Sequence, residues 1–516
     1  MPLSYRILLI GILFLIHSFC SLLAQHTSHP AEEAIQQSVA MGHAFPRMAL
    51  CSASPKHIKI CDSIQSSGLI PQGTRALILD QNKLKDILNL KGHHLALVLD
   101  YSDKEMTLLL EEQFLFTKTS KILTPLDLKG ESPAAGRHFR GIVRDLPGSL
   151  ASVSVFENEV MAVISTPFDG NINIALSEIE NKTEKNAPIH ILFFEKNLPV
   201  IPDFLCGVED PLPGMAHGGE AEHASALFDT RCRTVRIFLE CDYKMYQDRN
   251  LQKSQVVNYV TGLFNVVKTL YANERVNLEI SDIMVWTTTD PFPKTTLNEI
   301  LFSYANYRRN TFNGDLAQLL STANTQQAGG IAFVNVICNT YNGSSGPVSY
   351  ARIDNNYQNL PVYSWSVMVM AHELGHNFGS WHTHSCVWGP NKDSQLDNCQ
   401  PPDLGSCPPG PVPTAGGTVM SYCHLTGYGI NLALGFGKEP GDVLRNSVNT
   451  KPCLTPSLVA DISPNVQGPY FEGDVLRLKA TPIKPSYTFD WFHYDYRLPG
   501  KIPRRTPFRS MNLKLT

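Results

Sequence analysis

The sequence is short of charge: Lys, Arg, Asp and Glu make up 17% of its 516 residues, where a globular chain usually carries about a quarter. The formal net charge is −4. That balance excludes the basic footprint of a nucleic-acid binder or of a protein drawn to anionic membrane. Past the N-terminus there is no apolar run of the ~20 residues needed to span a bilayer, and no stable membrane association is expected. No internal repeat is evident. Residues 25–197 hold no cluster of ligand-type side chains. The stretch Glu209–Asp229 lacks both periodicity and a dibasic pair. Its Pro, Gly and Ala content marks an exposed linker open to nicking by another protease or by the chain itself.

What is present begins with an export signal. Arg6 supplies a positive start, Ile7 to Ile16 an apolar stretch, and Ser18, Ser21 and Ala24 the small and polar residues before a cut after Ala24. Residues 1–24 therefore read as a signal peptide and the mature protein as secreted. Cys20 follows Phe19, a poor fit to a lipoprotein site. Export allows disulfides. Of 12 cysteines, Cys20 leaves with the signal, so an odd number remains and one thiol is left over.

The organisation is multidomain. Residues 25–208 read as a β-rich first domain. Within it "GSLASVSVFENEVMAVIS", Gly148 to Ser165, forms a hairpin around a polar turn, and "APIHILFFE" forms a further strand. Cys51 and Cys61 are its only cysteines before Cys206 and are candidates to bond each other. After a linker at 209–230, residues 231–456 alternate strands and helices, which points to an α/β sheet. "RTVRIFLECD" and "VNLEISDIMVW" read as strands and "LNEILFSYANYRRN" as a helix. "SQVVNYVTGLFNVVKTLYANE" places Val257, Val260, Phe264, Val267 and Tyr271 on one helical face. "GGIAFVNVI", Gly329 to Ile337, reads as an apolar strand. From His382 to Met420 the Pro, Gly and Cys content requires a loop pinned by disulfides. If 233–240 is a straight strand, Cys232 and Cys241 lie ~30 Å apart and cannot bond each other. Residues 457–516 resemble the start of an immunoglobulin-like sandwich but are too few to complete one, so this segment is an incomplete β-sandwich or a disordered tail.

The stretch "AHELGHNFGSWH" carries the chemistry. His372 and His376 are one helical turn apart and can bind one metal. Gly379 breaks the helix, so that His382 can turn back as a third nitrogen. Three histidines leave a fourth tetrahedral position open, the arrangement of a catalytic zinc. Zinc brings the pKa of a bound water toward ~7, and Glu373 is placed to take its proton and hand it to the leaving amine. A non-catalytic binding protein on the same scaffold would have no use for Glu373.

The extended motif HExxHxxGxxH, followed by the methionine turn "GTVMSYCH" around Met420, resembles that of the metzincin zinc peptidases. "NGDLAQLLS" and "GGIAFV" are similar to strands of the reprolysin branch, the ADAM and snake-venom type, in a secreted bacterial form. The resemblance covers about Arg231 to Cys453. It implies a twisted mixed sheet with an active-site helix, and an endopeptidase acting on proteins or peptides. It further implies His372, His376 and His382 as zinc ligands, Glu373 as general base, Met420 as the floor of the site, and a Cys338–Cys453 bond. Cys386, Cys399, Cys407 and Cys423 then pair among themselves. An edge strand, here "GGIAFVNV", would receive substrate as an antiparallel addition. Two departures stand out: Thr383 replaces the usual Asp after the third histidine, and Tyr422 sits two residues past Met420, as in astacins and serralysins. Tyr422 is read either as an oxyanion donor or as a packed core tyrosine. Oligomeric state is not legible.

The sequence "CGVED" resembles the inhibitory segment of ADAM and matrix-type proenzymes, in type and in position ahead of the catalytic domain. Cys206 is thus expected to be a zinc ligand of the precursor, filling the open position. Parity fits, with Cys206 as the odd thiol once the others pair, though another thiol could be the unpaired one.

Overall fold

A computed structural model describes residues 29–212 and 233–454, apart from short stretches within both spans, with isolated short strands between 463 and 514. The expected signal peptide, most of the linker, Cys232 and most of the C-terminal segment lie outside the described residues.

The first domain is built on a nine-stranded, largely antiparallel sheet. The expected hairpin is present: Leu150–Val155 pairs with Val160–Thr166, with Val155 opposite Val160 across the turn. Both strands are buried along their whole length, because packing covers both faces of the sheet at this point.

The second domain is a mixed α/β fold. Its own strands lie in the order Gly329–Ala332, Val348–Arg352, Leu316–Ser321, Thr234–Cys241 and Asn277–Val285. All pair in parallel except Gly329–Ala332, which runs antiparallel to its neighbour. The helix Leu297–Arg308 opens with a capping box, in which Thr296 accepts from the Glu299 N–H and Glu299 reaches back; such a cap contributes about 1 kcal/mol.

The first domain extends this sheet at both edges. Leu205–Cys206 adds in parallel to Gly329–Ala332, and the hairpin Phe116–Thr124 with Asp127–Glu131 adds to Asn277–Val285. One hydrophobic core crosses the boundary, joining Met161, Ile189, Phe193 and Phe204 to Val260, Phe264, Val367 and Leu374. The helix Lys253–Asn273 lies in this core and is buried nearly all round, beyond the single face expected for it. Asn265 is its polar anchor: its Nδ2 donates to the carbonyls of Phe139 and Val153, each at 3.2 Å, and its Oδ1 accepts from Gln113 at 2.8 Å.

Several expectations need correction. The strand read over Gly329–Ile337 ends at Ala332. The chain then bends so that the N–H groups of Asn335 and Val336 bond the carbonyls of His376 and Asn377 at 2.9 Å, capping the end of the next helix instead of continuing the sheet. No disulfide joins Cys51 to Cys61, and Cys241 is a buried, unbridged thiol. Parity therefore does not single out Cys206. The segment read as an exposed linker starts buried: Asp210 is 2% exposed, because it packs against histidines of the second domain. In the C-terminal segment Val475–Ala480 pairs antiparallel with Arg509–Lys514.

Candidate active site

The helix Tyr363–Phe378 carries the first two histidines, and every residue in it is buried. Its N-terminus has no cap from its own side chains. Asn173 of the first domain supplies one: its Oδ1 accepts from the Ser364 N–H at 2.8 Å, while the Ser364 hydroxyl donates to Glu195 at 2.8 Å. At the other end Gly379 adopts φ +106°, a left-handed conformation that a side chain would strain. That turn sends the chain back and brings His382 to the other two.

The three rings are locked in one tautomer. The Nδ1 of His372 faces the Val419 carbonyl at 2.8 Å, that of His376 the Ser380 carbonyl at 2.8 Å, and that of His382 the Asp210 carboxylate at 3.0 Å. Each Nδ1–H donates, so each Nε2 is left as a lone pair. These lone pairs converge: His376 Nε2 is 3.2 Å from the Nε2 of both His372 and His382. Burial pushes the His372 and His376 pKa values well down, helped by the neighbouring imidazoles. Acceptors facing acceptors at this distance need a cation between them. The edges of a zinc tetrahedron, with bonds of about 2.0–2.3 Å, match these separations. The donor set therefore fits zinc.

Cys206 completes the group. Its Sγ is 3.4 Å from His376 Nε2, and the four ligand atoms lie within 4.8 Å of one another. Burial and the Glu373 carboxylate push the thiol pKa up, whereas a bound dication would favour the thiolate. Glu373 lies beside the thiol, 3.8 Å away, with its carboxyl pushed well up by burial. Its Oε1 faces the edge strand so closely that a Cβ on Gly330 would meet it at 2.4 Å; glycine there is what makes room for the carboxylate. The Tyr422 hydroxyl accepts the Cys206 N–H at 3.0 Å, and its ring lies 4.9 Å from that of His382. Met420 is fully buried beneath the helix, against Gly375. The loop beyond His382 is pinned by Cys386–Cys407 and Cys399–Cys423, and Cys338 bonds Cys453.

The three histidines, Cys206, Glu373, Tyr422 and Met420, singled out in the sequence, thus come together. Sequence reasoning missed Asp210 and His384. Asp210 was hidden in a segment whose composition reads as linker. Its one signal is its place four residues after Cys206.

Residues 231–428 match the family model Reprolysin_5, metallo-peptidase family M12. The chain is similar to the snake venom metalloproteinase atroxlysin-1 of Bothrops atrox, 28% identical over 164 residues, which make up 30% of this chain and 77% of that protein. It is also 23% identical over 297 residues to the disintegrin and metalloproteinase domain-containing protein 1a of Mus musculus, covering 53% of this chain and 35% of that protein. It thus spans about a third of that relative's length. Among solved structures, metalloproteinase-II from Bacteroides fragilis aligns with a TM-score of 0.35 and 14% identity, over 59% of this chain and 86% of that one.

Proposed function

Residues 231–428 form a reprolysin-like metallopeptidase domain of family M12, and on that premise we propose that the chain is the secreted, latent precursor of a zinc endopeptidase, held off by Cys206. The observation that carries this reading is the position of the Cys206 sulfur beside three convergent histidine nitrogens. His372, His376 and His382 would hold the metal, with Cys206 as fourth ligand until the N-terminal domain is removed. When bound, zinc supplies Lewis acidity toward water and the scissile carbonyl. Glu373 takes the proton from the attacking water and returns it to the leaving amine. Once the latch leaves, the Tyr422 hydroxyl loses the Cys206 N–H as a partner and is free to serve the developing oxyanion. Protein or peptide substrates add to Gly329–Ala332 antiparallel. The latch lies on the same edge in parallel, so its backbone is reversed relative to a substrate and resists cleavage.

The test is Cys206→Ala in the uncut precursor. We expect peptide cleavage to appear in that variant while a gel shows it still intact, and a thiol-reactive mercurial to activate wild type but not the variant. Two equally silent precursors with no response to mercurial would refute the latch.

A further inference from the structure

Behind His382 lies a second group of ligand-type side chains, two of which, His384 and Asp403, have no part in the endopeptidase reaction. Asp210, His382, His384 and Asp403 offer atoms within 4.8 Å of one another. His384 is fully buried, and neither of its ring nitrogens has a hydrogen-bond partner among the described residues. The Asp210 Oδ2, also buried, has none either. His384 Nε2 lies 3.4 Å from Asp210 Oδ2 and 3.6 Å from Asp403 Oδ1.

We propose that the uncut chain carries a second divalent-cation site, made of His384 Nε2 and the carboxylates of Asp210 and Asp403, and best matched to zinc. The spacing decides between an ion pair and a metal. A buried imidazolium–carboxylate pair closes to about 2.7–2.9 Å, whereas ligands on one tetrahedral zinc, with bonds of about 2.0–2.2 Å, stand ~3.4 Å apart. His382 is not a ligand of this site, since its Nδ1–H is given to Asp210 Oδ1 at 3.0 Å. The His384 ring is held flat against His382, with centroids 4.9 Å apart and planes at 7°, and against Tyr422 at 4.6 Å. That packing fixes its Nε2 toward both carboxylates. Charge also balances, since two carboxylates compensate one dication. The ion would tie the segment bearing Cys206 to the loop beyond His382, acting as a clip on the N-terminal side of the site.

The experiment is a zinc count on the full, uncut chain after loading and exhaustive dialysis, by inductively coupled plasma mass spectrometry. Wild type should hold two zinc ions per chain. His384→Ala and Asp403→Asn should each hold one. Asp403 is one-third exposed, with side-chain accessibility of 34%, so its variant tests the site even if His384→Ala fails to fold. The proposal is overturned if wild type and Asp403→Asn both hold one ion, or if wild type and Asp403→Asn both hold two. One ion in wild type and none in Asp403→Asn would support this site and sink the three-histidine reading, so the two claims fail separately.

Discussion

At the scale of single residues, the site depends on where protons and lone pairs are fixed. Three Nδ1–H groups are each spent on a backbone carbonyl or a carboxylate, which turns three Nε2 lone pairs inward. Glu373 is the one carboxylate of the helix Tyr363–Phe378, and it lies 3.8 Å from the Cys206 thiol. Replacing Glu373 with Ala removes the proton acceptor but no histidine. Peptide cleavage by the matured enzyme should fall by about 10²- to 10⁴-fold, with metal content unchanged by elemental analysis. Near-normal turnover would mean that another group moves the proton.

At the scale of elements, the helix Tyr363–Phe378 is completed from outside. Its sequence offers no side chain at the N-cap, and Asn173, fully buried in the first domain, does that work on the Ser364 N–H. Asn173→Ala should therefore lower the stability of the uncut chain by about 1–2 kcal/mol, read from denaturant melts. On the proposed maturation the active form would lack this residue and sets the comparison: its melting should be the same whichever precursor it came from. A precursor melt unmoved by Asn173→Ala would show that Ser364 finds its partner elsewhere.

At the scale of the whole molecule, the two domains share one sheet and one core. The first domain adds strands at both edges of the catalytic sheet. It also covers the far face of the helix Lys253–Asn273, with Asn265 bonded across the boundary. A cut between 213 and 232 breaks the chain but none of these contacts. The two fragments should then co-elute from size exclusion at neutral pH without denaturant, and separate only when the first domain is unfolded or cut again. Separate elution straight after the first cut would show that the shared core does not hold them. N-terminal sequencing of the active form should start downstream of Asp210.

The sequence by itself determined the grouping of the three histidines, the place of Glu373 on the same helix and most of the elements, because each rests on local rules. A helical turn fixes the spacing of His372 and His376, a left-handed glycine permits the return to His382, and periodicity marks the hairpin at 150–166 and the helix at 253–273. The tertiary structure alone decided what these elements are packed against. The helix at 253–273 reads as one-faced and is buried all round, because a second domain covers the other side and periodicity reports only its own element. The strand at 329 stops early because its backbone is needed to cap a helix more than thirty residues further on. Asp210 sits in a segment of linker-like composition, yet it is buried against His382, since a carboxylate can be desolvated when a fixed donor from another part of the chain meets it. Local sequence carries no record of such long-range partners. Which cysteines bond followed the same logic: spacing excluded a bond between Cys232 and Cys241, but only packing showed Cys241 buried alone and Cys206 turned toward the histidines.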